Sequence, residues 1–184
     1  MTEYKNPPPP GACAMTGVLL FAAMIAMPDA SGKSALCLKH PDKFQDIDEF
    51  VWKYARDDLL NAFASGRAAR VNTIYRTTMM QHRHELDRSK LLLSHSPADA
   101  QWLEITCVAR IKPSVELFEM NLRCKRQPIP LLELATQAYH EFNPAEVYDT
   151  REGIEKRCLD LWGAWKTMRV MRLNAVRILR EDQH

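Results

Sequence analysis

Glycine is scarce in this chain, with 6 among 184 residues, and no run of β-branched residues stands out. Sandwiches and barrels need both, so the scarcity argues against them. Charge of one sign is also missing: 25 basic and 23 acidic residues leave a net charge of +2. That balance provides no electrostatic footprint for nucleic acid, and no nucleic-acid partner is expected. The five cysteines, Cys13, Cys37, Cys107, Cys124 and Cys158, are too far apart for a CxxC metal or redox motif. Buried free thiols are one reading of Cys107, Cys124 and Cys158, and a disulfide between two of them is the other.

Signatures of catalysis are missing as well. His82 and His84 are two apart, so on a helix they point about 200° apart and cannot share a metal. Arg88 stands where H-E-x-x-H would need its second histidine, and no G-x-S-x-G marks a nucleophile. His140 beside Glu141 reads as an exposed helix end. The expectation is therefore a non-catalytic chain with no cofactor, no metal and no catalytic residue. No arginine precedes Arg56, so no mitochondrial transit peptide is visible.

What is present suits a folded protein: 46% hydrophobic and 26% charged residues. Pro7, Pro8, Pro9 and Pro10 predict an extended polyproline arm over 1–10. No charge lies between Lys5 and Asp29. Gly11 to Met27 would form a helix about 25 Å long, near the lower limit for a bilayer core of about 30 Å. We read 11–28 as a transmembrane helix, with Gly11, Ala14 and Gly17 offering a small face for packing. Three rivals remain open. One is a cleaved signal peptide on a secreted or periplasmic helical protein, although Glu3, the prolines and the missing A-x-A site fit it badly. Another is a buried core helix. The third is a degenerate P-loop nucleotide-binding protein: Ser31-Gly32-Lys33-Ser34 ends like G-x-x-x-x-G-K-S. Met27 stands at its first glycine, and no later apolar strand ending in Asp is evident.

After a linker over 29–45, residues 46–184 read as a helical domain. Ile47, Phe50, Val51, Tyr54, Leu59 and Phe63 keep a helical period, and Val71, Ile74, Tyr75, Met79 and Leu86 continue it towards Leu91-Leu92-Leu93. Ser96-Pro97-Ala98-Asp99 has the grammar of a helix start. Trp102, Ile105, Val108 and Ala109 are placed on the helix that follows, and Val115, Leu117, Phe118 and Leu122 on another beyond Pro113. The last helix, from about Thr150 to Glu181, carries a seam of Ile154, Cys158, Leu161, Trp165 and Met168. The fold class expected is all-α: one short N-terminal span, then a multi-helix body with a long C-terminal helix. Apolarity and expected exposure nominate Pro7–Pro10, Val18, Leu19, Leu20 and Phe21, with Trp162 and Trp165, as partner-binding residues. Lys33, Lys39 and Lys43 after the span favour a body on the matrix or cytoplasmic side.

Tyr4-Lys5 with Pro7–Gly11 ahead of an apolar segment resembles the opening of single-pass accessory subunits of respiratory complex I. Gln101-Trp102 with Cys107, Cys124 and Cys158 faintly resembles a helical subunit of the same complex. The resemblance implies a structural subunit of a mitochondrial inner-membrane respiratory or ATP synthase complex. Its partners would be neighbouring subunits and membrane lipid, with no small-molecule substrate.

Overall fold

The computed structural model describes residues 22–125, 129–143 and 145–181. Its centre is a five-stranded parallel sheet in the order β2-β3-β1-β4-β5. The strands are β1 (Ala23–Ala26), β2 (Phe44–Asp46), β3 (Leu91–Ser94), β4 (Thr106–Pro113) and β5 (Glu146–Tyr148). Between them run α1 (Lys33–Lys39), α2 (Ile47–Ala64), α3 (Ala68–His82), α4 (Ala98–Trp102), α5 (Val115–Arg123) and α6 (Ile129–Glu141). The last helix, α7, spans Arg151–Glu181.

The fold is therefore α/β, and the all-α expectation is corrected. A parallel strand is buried on both faces, so its sequence is uniformly apolar and shows no alternation. Every residue of β1, Ala23-Met24-Ile25-Ala26, is buried, as is every residue of β3, Leu91-Leu92-Leu93-Ser94. Met24, Ala26 and Leu92 face a core closed by Ile47, Val51 and Leu59 of α2 and Met79 of α3. Ala23, Ile25, Leu91 and Leu93 face the other core, closed by Leu36 of α1, Leu117 of α5 and Ile154, Cys158 and Trp165 of α7.

The transmembrane helix over 11–28 is overturned by the same strand, since residues 23–26 pair with β3 on one side and β4 on the other. What precedes it, residues 11–22, would reach only about 18 Å as a helix, against about 30 Å of hydrocarbon. Among the described residues no helix is long and apolar enough to cross a membrane. The single-pass inner-membrane placement and lipid as a partner lose their basis. Pro7, Pro8, Pro9, Pro10, Val18, Leu19, Leu20 and Phe21 lie outside the described residues.

Strand order places the site. The chain leaves β1 for β2 and β3 on one side, then crosses back to β4 on the other. In open α/β sheets ligands sit beyond the carboxyl ends of strands at such a reversal. Here Met27, Asp46 and Ser94 mark those ends.

Ile25 is fully buried at the centre of the sheet. Ile25→Ala is expected to lower the free energy of unfolding by about 2–5 kcal/mol, read by urea denaturation. A loss under about 0.5 kcal/mol, the range of surface substitutions, would show that residue 25 is not in the core.

Candidate functional site

The segment from Met27 to Ser34 turns from β1 into α1. Met27 donates its backbone N–H to the Ser94 carbonyl (2.7 Å), extending the sheet, and its side chain is fully buried. Position 27 lies outside the left-handed region, so its backbone does not require glycine there. Gly32 does require it: its φ is 89°, while the space around a would-be Cβ is open. Ala30 also has a positive φ, 61°, which costs a side-chain-bearing residue about 1–2 kcal/mol. The surroundings hold it there. Ala30 packs against Phe118 and Tyr139, and its carbonyl accepts from Asn121 Nδ2 (2.8 Å). Asn121 Oδ1 in turn accepts from Arg151 Nε (2.9 Å) and Nη2, so α5 and α7 together clamp the turn.

Lys33 lies at the centre of the turn and is nearly inaccessible. Its Nζ donates to the carbonyls of Met27 (3.0 Å) and Pro28 (3.3 Å). It pairs with Asp48 Oδ2 at 3.0 Å and approaches Asp29 at 3.8 Å. Burial works to lower its pKa, but Asp48, Asp29 and Asp46 outweigh that and hold it above the ordinary lysine value. Ser34 Oγ donates to Asp46 Oδ2 (3.1 Å), while Asp46 Oδ1 caps α2 by accepting from the Asp48 N–H (3.0 Å).

Asp48 is the hub. His95 Nδ1 lies 2.7 Å and Tyr75 Oη 2.6 Å from its Oδ1, leaving Oδ2 to Lys33. Burial pushes the Asp48 carboxyl up, yet Lys33 and His95 bring it well below the usual carboxylate range. Asp46 moves the other way, raised by burial and by the Asp48 charge. Two carboxylates two residues apart are thus given different roles by their surroundings. For His95, burial acts downwards, but Asp48 overrides it and lifts the imidazole to about 9. Behind it, burial raises Asp99 to about 6; its Oδ2 accepts from Ser94 Oγ, and its Oδ1 has no partner.

Three cavities lie in a row along this edge. One of about 350 Å³ is bounded by Gly32, Lys39, Asn121, Lys125 and Arg151. The second, of about 240 Å³, shares Ala30, Gly32 and Lys125 with it and holds Lys33, Ser34 and Asp46. The third, of about 140 Å³, shares Asp29, Asp48 and Trp52 with the second and adds Phe63, Tyr75 and His95.

Of the residues expected at an interface, Trp162 and Trp165 fall within the described residues and lie away from this turn. Trp165 is buried against the sheet, and Trp162 is half-buried with the ammonium groups of Lys43 and Lys166 over its ring. Cys37, Cys107, Cys124 and Cys158 are free thiols. His82 stacks on Tyr54 and sits 2.8 Å from Glu85, while His84 is exposed. The sequence reading noticed Ser31–Ser34 but missed Asp46, Asp48, Tyr75 and His95. The signal was Phe44-Gln45-Asp46-Ile47-Asp48, a three-residue strand that ends in one acid and leads into a helix whose second residue is another, where the sequence shows no clearly apolar strand ending in Asp.

No family model matches the chain, and no curated protein matches it. Among solved structures it is similar to a shikimate kinase from Aquifex aeolicus VF5, over 74% of this chain and 93% of that one. The TM-score is 0.40 and the identity 14%, a likeness that assigns neither family nor activity. The resemblance to respiratory accessory subunits finds no support here and is withdrawn, together with the structural role, mitochondrial placement and subunit partners inferred from it.

His95 supplies a direct check. Its raised pKa means that its contribution to stability is complete below about 6.5, the unfolded value, and is lost as pH rises through about 9. An NMR titration of the His95 ring should show that late midpoint in the native protein. In Asp48→Asn the same midpoint should fall, since burial and the Lys33 charge then lower it against Asp99 alone.

Proposed function

We propose that this chain binds a nucleoside triphosphate with Mg²⁺ at the Met27–Ser34 turn and transfers its terminal phosphoryl group to a hydroxyl of a small molecule. The observation that supports this reading is the meeting of Lys33, Ser34, Asp46 and Asp48 between two cavities at the carboxyl ends of parallel strands. A small-molecule substrate thereby replaces the expectation of none.

The residues fit the chemistry. A P-loop lysine binds phosphate as a point charge and its serine serves the metal. Mg²⁺ keeps several waters and takes only one or two carboxylates with substrate phosphates, so a serine facing one aspartate is enough. Ser34 and Asp46 would hold it, and when bound it neutralises charge on the transferred group. The larger cavity, with Lys39, Lys125 and Arg151 at its rim, would take the nucleoside end of the donor. The smaller one beyond Asp48 would take the acceptor.

Asp48 has a specific part. Lys33 occupies its Oδ2, whereas His95 and Tyr75 both hold Oδ1. Once Lys33 turns to phosphate oxygens, Oδ2 becomes free while the carboxylate keeps its orientation. The acceptor oxygen then bonds to the terminal phosphorus, and the bond from that phosphorus to the bridging oxygen breaks. The hydroxyl proton passes to Asp48 Oδ2, and the nucleoside diphosphate leaves. A carboxylate so acidic is a weak base, so it orients the hydroxyl first and takes the proton late, as suits a loose phosphoryl transition state.

A second reading is nucleotide binding without transfer, which keeps the non-catalytic expectation. It is favoured by Met27 at the first loop position and by Lys33 being engaged with the loop's own carbonyls.

Calorimetric titration with Mg·ATP tests both. Lys33→Ala should weaken binding by about a hundredfold, or ~2.7 kcal/mol, and equal binding by the two proteins would end the proposal. Asp48→Asn should retain binding but lose transfer by at least about a hundredfold, within the range for acid–base groups. Native protein that binds Mg·ATP and transfers nothing to any alcohol would leave the second reading.

A further inference from the structure

The pocket beyond Asp48 carries enough detail to specify its occupant. This inference rests on the reading above, because it treats that pocket as the acceptor's. Its floor and walls are apolar: Leu59 is buried, Trp52 and Phe63 stand parallel with ring planes 13° apart, and Val71 and Leu131 also line it. Its polar lining consists of Asp29, Asp48, Asn72, Tyr75 and His95.

Charge decides what fits. Among the described residues no lysine or arginine lines this pocket. Its one cationic group, His95, is already paired with Asp48 at 2.7 Å. The Tyr75 hydroxyl is likewise given to Asp48. An acceptor with a carboxylate or phosphate would meet two carboxylates and no unengaged cation, and burying an anion without a partner is strongly unfavourable. A neutral ring meets none of that. It could lie against the Trp52–Phe63 wall, where aromatic faces contribute beyond their buried area. Asn72, exposed on the rim, offers both an amide donor and an acceptor to an uncharged polar edge.

We infer that the acceptor is an uncharged alcohol carrying a flat ring, its ring on Trp52 and Phe63 and its hydroxyl directed to Asp48. An acidic metabolite is the wrong class for this pocket.

The test uses matched probes on the whole protein: 4-methylbenzyl alcohol against 4-(hydroxymethyl)benzoate, and uridine against uridine 5′-monophosphate. Binding is measured by saturation-transfer NMR without nucleotide, so the result does not depend on the P-loop reading. The neutral member of each pair should bind at least tenfold more tightly than the anion. Trp52→Ala should remove that binding, with the amide spectrum confirming that the variant folds. Asn72→Arg, an exposed change that supplies the missing cation, should reverse the preference towards the anions. Equal or tighter binding of the anions by the native protein overturns the inference, as does no binding of either neutral probe. Turnover of the neutral probes with Mg·ATP then reports on the transfer reading separately. Neutral binding without turnover keeps the pocket's chemistry and removes the reaction.

Discussion

A lysine ammonium withdrawn from water at the end of a parallel sheet is the constraint on which this structure turns. Lys33 remains charged there because Asp48, Asp29, Asp46 and the Met27 and Pro28 carbonyls surround it. Removing one partner of a buried pair leaves the other uncompensated, at a cost of about 3–5 kcal/mol. Each group that serves the pair is therefore fixed by its own element. Asp48 stands in the first turn of α2, Lys33 opens α1, Tyr75 comes from α3 and His95 follows β3. The ion pair and its partners tie together segments that follow three parallel strands.

That arrangement divides labour between the two oxygens of one carboxylate. Oδ1 carries the contacts to His95 and Tyr75, and Oδ2 carries the one to Lys33. A carboxylate held from one side can surrender a partner on the other without rotating. Asp46, raised by burial and by its neighbour, is poised differently and faces the Ser34 hydroxyl. Two acids in one strand-to-helix junction thus acquire separate chemistry from separate neighbours.

How much of this the sequence disclosed depends on the element. In α7 the buried residues Ile154, Cys158 and Trp165 recur at helical spacing, because one face of that helix meets a sheet and the rest is open to solvent. For β1 and β3 periodicity carried nothing: both faces are covered, so apolar residues run together and a strand reads like a short piece of helix. β4, Thr106–Pro113, was likewise placed in a helix, since Trp102, Ile105, Val108 and Ala109 have mixed spacing. The turn at Ser31–Ser34 was visible as letters but was discounted for its missing glycine. Met27 shows why that discount was too heavy: its amide joins the sheet and its side chain fills the core, so the position has no use for glycine. Tyr75 and His95 lie far from Lys33 along the chain, and no local pattern links them.

The clamp on Ala30 has a consequence for how the protein is made. The left-handed alanine is imposed by Asn121 and, through it, by Arg151, which follows all five strands in the chain. A polypeptide still emerging from the ribosome already contains Lys33, Asp48 and His95 well before it contains Arg151. During that interval the turn has its charged residues but not the full set of contacts that hold its shape, because Asn121 still lacks Arg151. Synthesis order therefore separates supplying the groups of this junction from setting its geometry, which is completed with the last helix.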